Sequence, residues 1–411
     1  MADCPLMMVF RLLARRATGM LWASCAGASV GMEVRRLALV WIAVGLIGEA
    51  AAYVAAVQAV TVLAFSVWGG AIVDRWDARR ALVLSDTGRS AVTLLLLAVM
   101  LAGLLDPWHL FAAAATLSTF SMIYEPALQV CVTRAASSND ALQALNGLMD
   151  GARRIARIAA PGVIAAIAAV LPVHHLLSIS AGAHLVSAVA IVAAWPVLAQ
   201  GLSEQSSSQP DRSMIGDLKA AIAMTARHPL MSYVVVTIAM RTACWVVTFY
   251  VCLPLRIEQA FGGGVGALGL VIALFGIGNL AGSAIAVTMR AWPPGITSAL
   301  GRTLMGLGFL GMATTQDWSL LLAFGVLGAV GGPLGDLPSL GVLRSDFAAD
   351  VVGKIVGLRS TADGVGMLVG MLAAPALIGI VGLSGTMALW AGLLTLAGSY
   401  GLWRFRPRRS T

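Results

Sequence analysis

Apolar segments long enough to cross a lipid bilayer recur along almost the whole chain. A helix needs about 20 consecutive, predominantly apolar residues to span the hydrocarbon core of a membrane. Twelve such segments can be counted, near residues 18–46, 52–73, 81–105, 108–133, 141–170, 173–198, 229–255, 264–289, 294–315, 318–343, 352–380 and 382–404. A soluble domain could not bury a chain of which 59% is hydrophobic. The sequence therefore predicts an all-α integral membrane protein with twelve transmembrane helices and the lipid bilayer as its surroundings.

Lysine and arginine are distributed unevenly between the loops at the two ends of these segments. One side carries basic clusters such as those within 11–16, 75–80 and 404–409, whereas the loops on the opposite side carry only Arg256. Because cytoplasmic loops hold an excess of basic residues, both termini are predicted to be cytoplasmic. We expect a multi-pass protein of a bacterial-type inner membrane. The net charge of +8 is accounted for by these loops and predicts no nucleic-acid partner.

The longest polar segment lies near the middle of the chain, at residues 200–228. Its serine-rich composition is typical of a linker. It separates residues 1–199 from residues 229–411, which we predict to be two pseudo-symmetric six-helix bundles joined by a cytoplasmic linker. The surroundings of Pro126 and Pro338 resemble each other at a spacing close to half the chain length. Internal repeats of this kind are typical of secondary transporters.

Motifs for catalysis and for nucleotide or metal binding are absent from the sequence. It contains no GxxxxGK, GxSxG or HExxH motif, and its five cysteines do not have metal-ligand spacing. We therefore expect no enzyme, no cofactor and no metal site, and an ion gradient in place of ATP as the energy source. His184, inside the sixth segment, is predicted to be a core histidine with its hydrogen bonds satisfied rather than a proton relay.

Charged residues inside the apolar segments are the candidates for function, since a charge at the bilayer centre costs roughly 2.5–3.5 kcal/mol on insertion scales. Glu33 and Arg36 share one side of the first helix. They form either a proton or substrate site in a central cavity or a pair that neutralises itself. Arg241 has no acidic neighbour in sequence, so its partner is a substrate anion or an acid across the bundle, with Glu33 as one candidate. The predicted cavity residues are Glu33, Arg36, Glu125, Arg157, Arg241 and Asp336.

The start of the fifth segment carries a basic helix face. Asp150, Arg153, Arg154 and Arg157 follow one another at spacings of three or four residues, and one acid cannot neutralise three guanidiniums. The face is either an anion-attracting wall of the cavity or a cytoplasmic gate that does not contact substrate. Arg157 lies deepest and is assigned to the cavity. The remaining residues are assigned to a gate network that comprises Asp150, Arg153, Arg154 and Asp363.

The polar loop between the second and third segments carries the most specific motif. Gly70-x-x-x-Asp74-Arg75, followed by Arg79-Arg80, resembles the signature loop of the major facilitator superfamily. The resemblance covers essentially the whole chain and implies the major facilitator fold. It also implies that this loop latches the two halves of the protein in the outward-facing state. The latch residues are predicted to be Gly70, Asp74, Arg75, Arg79, Arg80, Asp86 and Arg89.

Further motifs are similar to the branch of this superfamily that contains the enterobactin exporter and macrolide-efflux proteins. Asp77 replaces a common glycine of the loop, Asp86-x-x-Arg89 opens the third segment, and Glu125-Pro126 lies in the fourth. Ala160 stands where proton-coupled drug antiporters have the glycine of a Gly-Pro pair.

The resemblance implies a proton-coupled exporter of a small organic molecule. With the arginine excess, it favours a siderophore or related anionic metabolite, handled by a monomer. Efflux of a macrolide-like or other antibiotic is the alternative, although the arginines disfavour cationic drugs. Lysophospholipid flipping is a third transport function. Outside transport, the alternatives are a polytopic enzyme acting on lipid or isoprenoid phosphates and a sensor that has lost transport.

Overall fold

The computed structural model describes residues 12–75, 77–136, 138–168, 170–199 and 214–406. Within these residues the regular structure is entirely helical, without a strand. Eight stretches of this part of the chain are long and apolar enough to cross a membrane. The prediction of an all-α membrane protein is confirmed. By contact clustering the chain divides into two compact units, Met1–Ile47 with Val57–Ser206 and Gly48–Ala56 with Ser207–Thr411.

The first unit is built from long helices joined by short turns. They are α1 (Arg16–Ile47), the part of α2 (Ala51–Arg75) from Val57 onward, α3 (Ala78–Leu101), α4 (Pro107–Ala135), α5 (Asn139–Ala168) and α6 (His174–Ala199). The α1 helix packs against α5 and α6, and α3 packs against α4 and α6. Gly48 ends the first helix because its φ of 56° lies in the left-handed region, which glycine adopts without steric cost. Every helix of this unit coincides with a predicted segment.

The second unit begins with one short helix and continues with long helices joined by short turns, as in the first unit. Its elements are α7 (Met214–Arg227), α8 (Pro229–Val247), α9 (Leu253–Phe261), α10 (Val265–Thr288), α11 (Pro294–Thr314), α12 (Trp318–Asp346) and α13 (Ala349–Arg404). A π-helical turn, Thr248–Cys252, joins α8 to α9, and the stretch Pro229–Phe261 forms a single apolar span. The α13 helix bends at Gly382, where φ is 73°, so it supplies the last two predicted segments.

The main departure from the predicted organisation lies in the linker. Residues 214–227 of the segment proposed as a serine-rich linker form the helix α7, whose last turn carries Arg227. Residues 200–213 lie outside the described part of the chain. The α7 helix is shorter than the membrane-spanning helices, and Asp217 and Lys219 interrupt its apolar residues, so it does not stand out as an apolar segment.

Glycine allows close approach of helices in the second unit. A Cβ atom on Gly301 of α11 would lie 2.2 Å from the backbone nitrogen of Gly335 in α12. A Cβ on Gly282 of α10 would lie 2.4 Å from the carbonyl oxygen of Val330, also in α12. Lipid gives no hydrophobic force that drives helices together, so association depends on such tight contact between small residues. These glycines therefore fix the packing of α12 against both neighbours.

Gly301→Ala is expected to destabilise the protein, because the added methyl group must separate α11 from α12. In an unconstrained helix the same change is stabilising by about 1 kcal/mol. Gly392→Ala is the matched control, since its Cβ would meet no atom within 4 Å. Thermal unfolding in detergent micelles checks the prediction. An equal or higher melting temperature for Gly301→Ala would contradict it.

Candidate functional site

Two cations in the first unit converge on the carboxylate of Glu33. Arg36, one helical turn further along α1, forms an ion pair with Glu33. From α5, Arg157 brings its Nε to 3.8 Å from Glu33 Oε1. The side chain of Glu33 is 6% exposed, whereas that of Arg157 is 68% exposed. The Glu33–Arg36 pair is thus formed, and Arg157 adds an accessible positive charge that no second acid in this group balances.

The other charges on the α5 face form peripheral ion pairs. Arg153 Nη2 lies 2.7 Å from Glu125 Oε2 on α4, and Arg154 Nε lies 2.7 Å from Asp150 Oδ2 within α5. These side chains are partly or largely exposed. The predicted cavity residue Glu125 is therefore placed next to the predicted gate residue Arg153.

In the second unit, Arg241 of α8 forms an ion pair with Asp363 of α13. Its Nη2 donates to Asp363 Oδ1 at 2.7 Å, and the neighbouring Thr242 hydroxyl donates to the same carboxylate. Asp363 thus neutralises Arg241 within the second unit. Asp363, a predicted gate residue, therefore contacts Arg241, a predicted cavity residue.

A second pair in this unit joins α11 and α12. Arg302 Nη2 lies 2.6 Å from Asp336 Oδ1, and the Arg302 side chain is 1% exposed. Arg359 of α13, which donates to Ser339, and Arg241 both lie within electrostatic reach of Asp336. Arg302 lies inside α11 and not in a loop. Its position eight residues after Pro294 was the available signal, but no sequence pattern linked it to Asp336.

A third cluster lies in the interior of the first unit. Arg89 Nη1 is 3.2 Å from Asp86 Oδ1, and Ser187 of α6 donates to Asp86 Oδ2 at 2.5 Å. His184 Nδ1 is 3.4 Å from Asp86 Oδ1. In the described part of the chain neither ring nitrogen of His184 has a hydrogen-bond partner. His184 is therefore a buried histidine that lies beside Asp86, and its ring nitrogens lack hydrogen bonds of good geometry. Asp86 and Arg89, assigned to the latch, lie buried among α1, α4 and α6.

The loop between α2 and α3 shows a local structural role for part of the predicted latch. Asp77 caps α3 by accepting a hydrogen bond from the Arg79 backbone N–H at 2.9 Å, and its carboxylate lies 2.6 Å from Arg79 Nη2. The hydrogen bond from Arg79 holds the pKa of Asp77 below its usual value. Arg80 is exposed. Gly70, Asp74 and Arg75 belong to α2, but the structure does not describe the exposure or contacts of these three residues.

The family of the chain follows from its sequence match. Residues 9–295 match the family model described as "Transmembrane secretion effector". The chain belongs to this family. It is thus a major facilitator superfamily transporter and a multi-pass membrane protein rather than an enzyme. No curated protein sequence matches this chain significantly.

Solved structures show the same fold over almost the full length of this transporter. A POT family transporter in complex with 5-aminolevulinic acid matches with a TM-score of 0.71 and 11% identity, over 96% of this chain and 97% of the other. A mutant of the peptide transporter POT in complex with alafosfalin gives 0.70 and 13%, over 98% of both chains. A mutant of the nucleoside transporter NupG gives 0.69 and 11%, over 95% and 100%. At these identities the likeness shows the fold alone.

Asp77→Ala is expected to lower the free energy of unfolding by about 1 kcal/mol at pH 7, because α3 loses its N-terminal cap. The pKa of Asp77 is lowered in the folded state, so the contribution of its charge is present above the ordinary aspartate pKa of about 3.9 and is lost as the pH falls through the lower folded value. Asp77→Asn, which can still cap, is the control. Unfolding in detergent at pH 7 and below pH 4 tests this, and equal stability of wild type and Asp77→Ala at pH 7 would refute it.

Asp336→Ala is expected to destabilise the protein by about 3–5 kcal/mol, because it leaves the Arg302 charge buried without its acid. Asp150→Ala breaks an exposed ion pair and should cost less than about 1 kcal/mol. Adding Arg302→Met to Asp336→Ala should recover part of the loss. Unfolding of the three variants in detergent provides the measurement, and similar losses for the two single variants would contradict a buried pair.

Proposed function

We propose that this transporter exports a small organic anion, namely a siderophore or related secreted metabolite, in exchange for protons. The observation that carries the proposal is the surplus of guanidinium groups at partly exposed positions within the helices. Glu33 faces both Arg36 and Arg157, and Arg157 is largely exposed. A guanidinium offers paired donors that match a carboxylate or a similar planar anion.

The second unit supports the same substrate chemistry. Asp336 and Asp363 are opposed by Arg241, Arg302 and Arg359, so this group also carries one positive charge in excess. The Arg241 side chain is 22% exposed and can therefore be reached from outside the protein interior. A cationic drug would be repelled by both groups. Antibiotic efflux is the second candidate function only for a neutral or anionic drug.

Direction and energy source rest on different observations. The family description names secretion, which favours export from the cytoplasm across a bacterial-type inner membrane. The sequence has no nucleotide-binding GxxxxGK motif, which favours an ion gradient. We also propose that residues 1–199 and 229–411 act as two six-helix halves in alternating access, latched by the loop around Asp74, in a monomer with both termini in the cytoplasm.

A deletion strain tests this function directly. Wild-type and deletion cells are grown without iron, and metabolites in the medium and the cell pellet are compared by mass spectrometry. An anionic metabolite that disappears from the medium and accumulates in the cells supports export and identifies the substrate. A panel of antibiotics is tested in parallel. Unchanged secretion combined with new drug sensitivity would replace the proposal by antibiotic efflux.

Arg241→Ala is expected to raise the concentration of the anionic metabolite needed for half-maximal export about tenfold or more, because a hydrogen bond to a charged group contributes about 1.5–3 kcal/mol. Arg241→Lys keeps the charge but not the paired donors and should give an intermediate value. Arg134→Ala, at the exposed end of α4, is the control. Export is measured in everted membrane vesicles at equal protein levels. An unchanged half-maximal concentration would remove Arg241 from the binding site.

A further inference from the structure

The buried cluster around Asp86 is not used by the proposed substrate site. It contains Arg35 from α1, Asp86 and Arg89 from α3, and His184 and Ser187 from α6. Asp86 and His184 are both 0% exposed, and the two arginines are buried as well. Charged residues in the interior of a membrane helix bundle are costly, and proton relays are among the tasks that retain them.

Hydrogen bonds fix the carboxylate of Asp86 in place. Arg89 contacts Oδ1, Ser187 donates to Oδ2, and Ser187 lies 2.8 Å from the hydroxyl of Ser24 on α1. The Arg89 guanidinium also stacks 4.4 Å from the ring centre of Tyr124 on α4. His184 differs from these groups because its ring is adjacent to the carboxylate but has no hydrogen bond in the described residues. An imidazole can gain and lose a proton, and its surroundings set the pH at which it does so.

The charges around His184 make the cluster sensitive to an added proton. The titratable and charged groups that face the pair from the packed helices are Arg35, Arg89 and Tyr124, together with Asp86 itself. The cluster thus contains two guanidinium groups, those of Arg35 and Arg89, and one carboxylate, that of Asp86. A proton on His184 would strengthen its contact with Asp86 but would repel both arginines in a region of low dielectric. Arg35 is the side chain best able to respond, because its Nη1 has no hydrogen-bond partner in the described part of the chain.

The α1 helix connects this cluster to the proposed substrate site. Successive residues of a helix are rotated by about 100°, so Arg35 and Glu33, two residues apart, lie on nearly opposite sides of α1. The Arg35 side belongs to the cluster around Asp86, and the Glu33 side contacts Arg157. His184 also packs directly on this helix. A Cβ on Gly31 would lie 3.1 Å from the His184 ring, and Ser180 of α6 donates to the Gly31 carbonyl at 2.8 Å. A movement of Arg35 or of the His184 ring therefore acts on the same helical segment that holds Glu33.

We propose that Asp86 and His184 form the proton-coupling site, and that α1 transmits the binding of the proton to the Glu33–Arg157 contact. A proton enters from the outer aqueous phase, binds Nδ1 of His184 and is shared with Asp86 Oδ1. It leaves to the cytoplasm after the change of conformation, with no other bond made or broken. The inference rests on the proposed proton-driven transport.

Hydrogen-exchange mass spectrometry of the full chain in lipid nanodiscs tests the site with the proton itself as the probe. After correction for intrinsic exchange, peptides covering Glu33 and Arg157 are expected to differ at least twofold in exchange rate between pH 4 and pH 7.5. His184→Gln and Asp86→Asn should abolish this difference while retaining wild-type protection at pH 7.5. His175→Gln, a substitution of the same type in the first turn of α6, should preserve it.

Transport provides the second readout. In everted vesicles with the metabolite retained by the deletion strain, His184→Gln should lose at least tenfold of the stimulation by a pH gradient but keep gradient-independent exchange. If wild type exports the metabolite without any response to the gradient, the proposed proton coupling is wrong. If wild type responds and both variants respond equally, only the coupling site is wrong. If both variants lose protection and exchange at pH 7.5, the pair is a structural element and the proposal fails.

Discussion

The cost of placing a charge in hydrocarbon determines where the polar residues of this transporter lie. Arg302 is almost completely buried and is stabilised by Asp336 across the α11–α12 contact. A second ion pair, Arg241 with Asp363, joins α8 to α13. A third, Asp86 with Arg89, lies in the interior of the first unit. A guanidinium without its carboxylate would not be tolerated at these positions. The pairs therefore both restrict how the helices pack and leave a small positive surplus in each unit.

That surplus links stability to function. A fully neutralised bundle would have no attraction for an anion, whereas one extra arginine in each group provides it at limited cost. The exposed Arg157 and the buried Arg35 lie on opposite sides of the α1 segment around Glu33. The α1 helix therefore lies between an accessible group of charges and a fully buried one.

Close contacts between helices allow a movement of one helix to displace its neighbour. Gly31 holds α1 against the His184 ring, and Gly301 and Gly282 hold α12 against its neighbours. Interfaces built from small residues have little free space, so a shift of one helix is passed to the next instead of being absorbed by rearranged side chains. The π-helical turn at Thr248–Cys252 and the bend at Gly382 are local departures from this regular packing.

The sequence by itself determined the helical membrane fold, because apolar segments of bilayer length and the Gly70–Arg80 motif are local patterns. It also identified Glu33 with Arg36, since residues three apart share a helix face. The partners of Arg241 and Arg302, and the burial of His184 beside Asp86, were decided only by the tertiary structure. Those contacts join residues more than 30 positions apart on different helices. Their formation depends on how each helix is rotated and packed, which the order of residues along one helix does not specify.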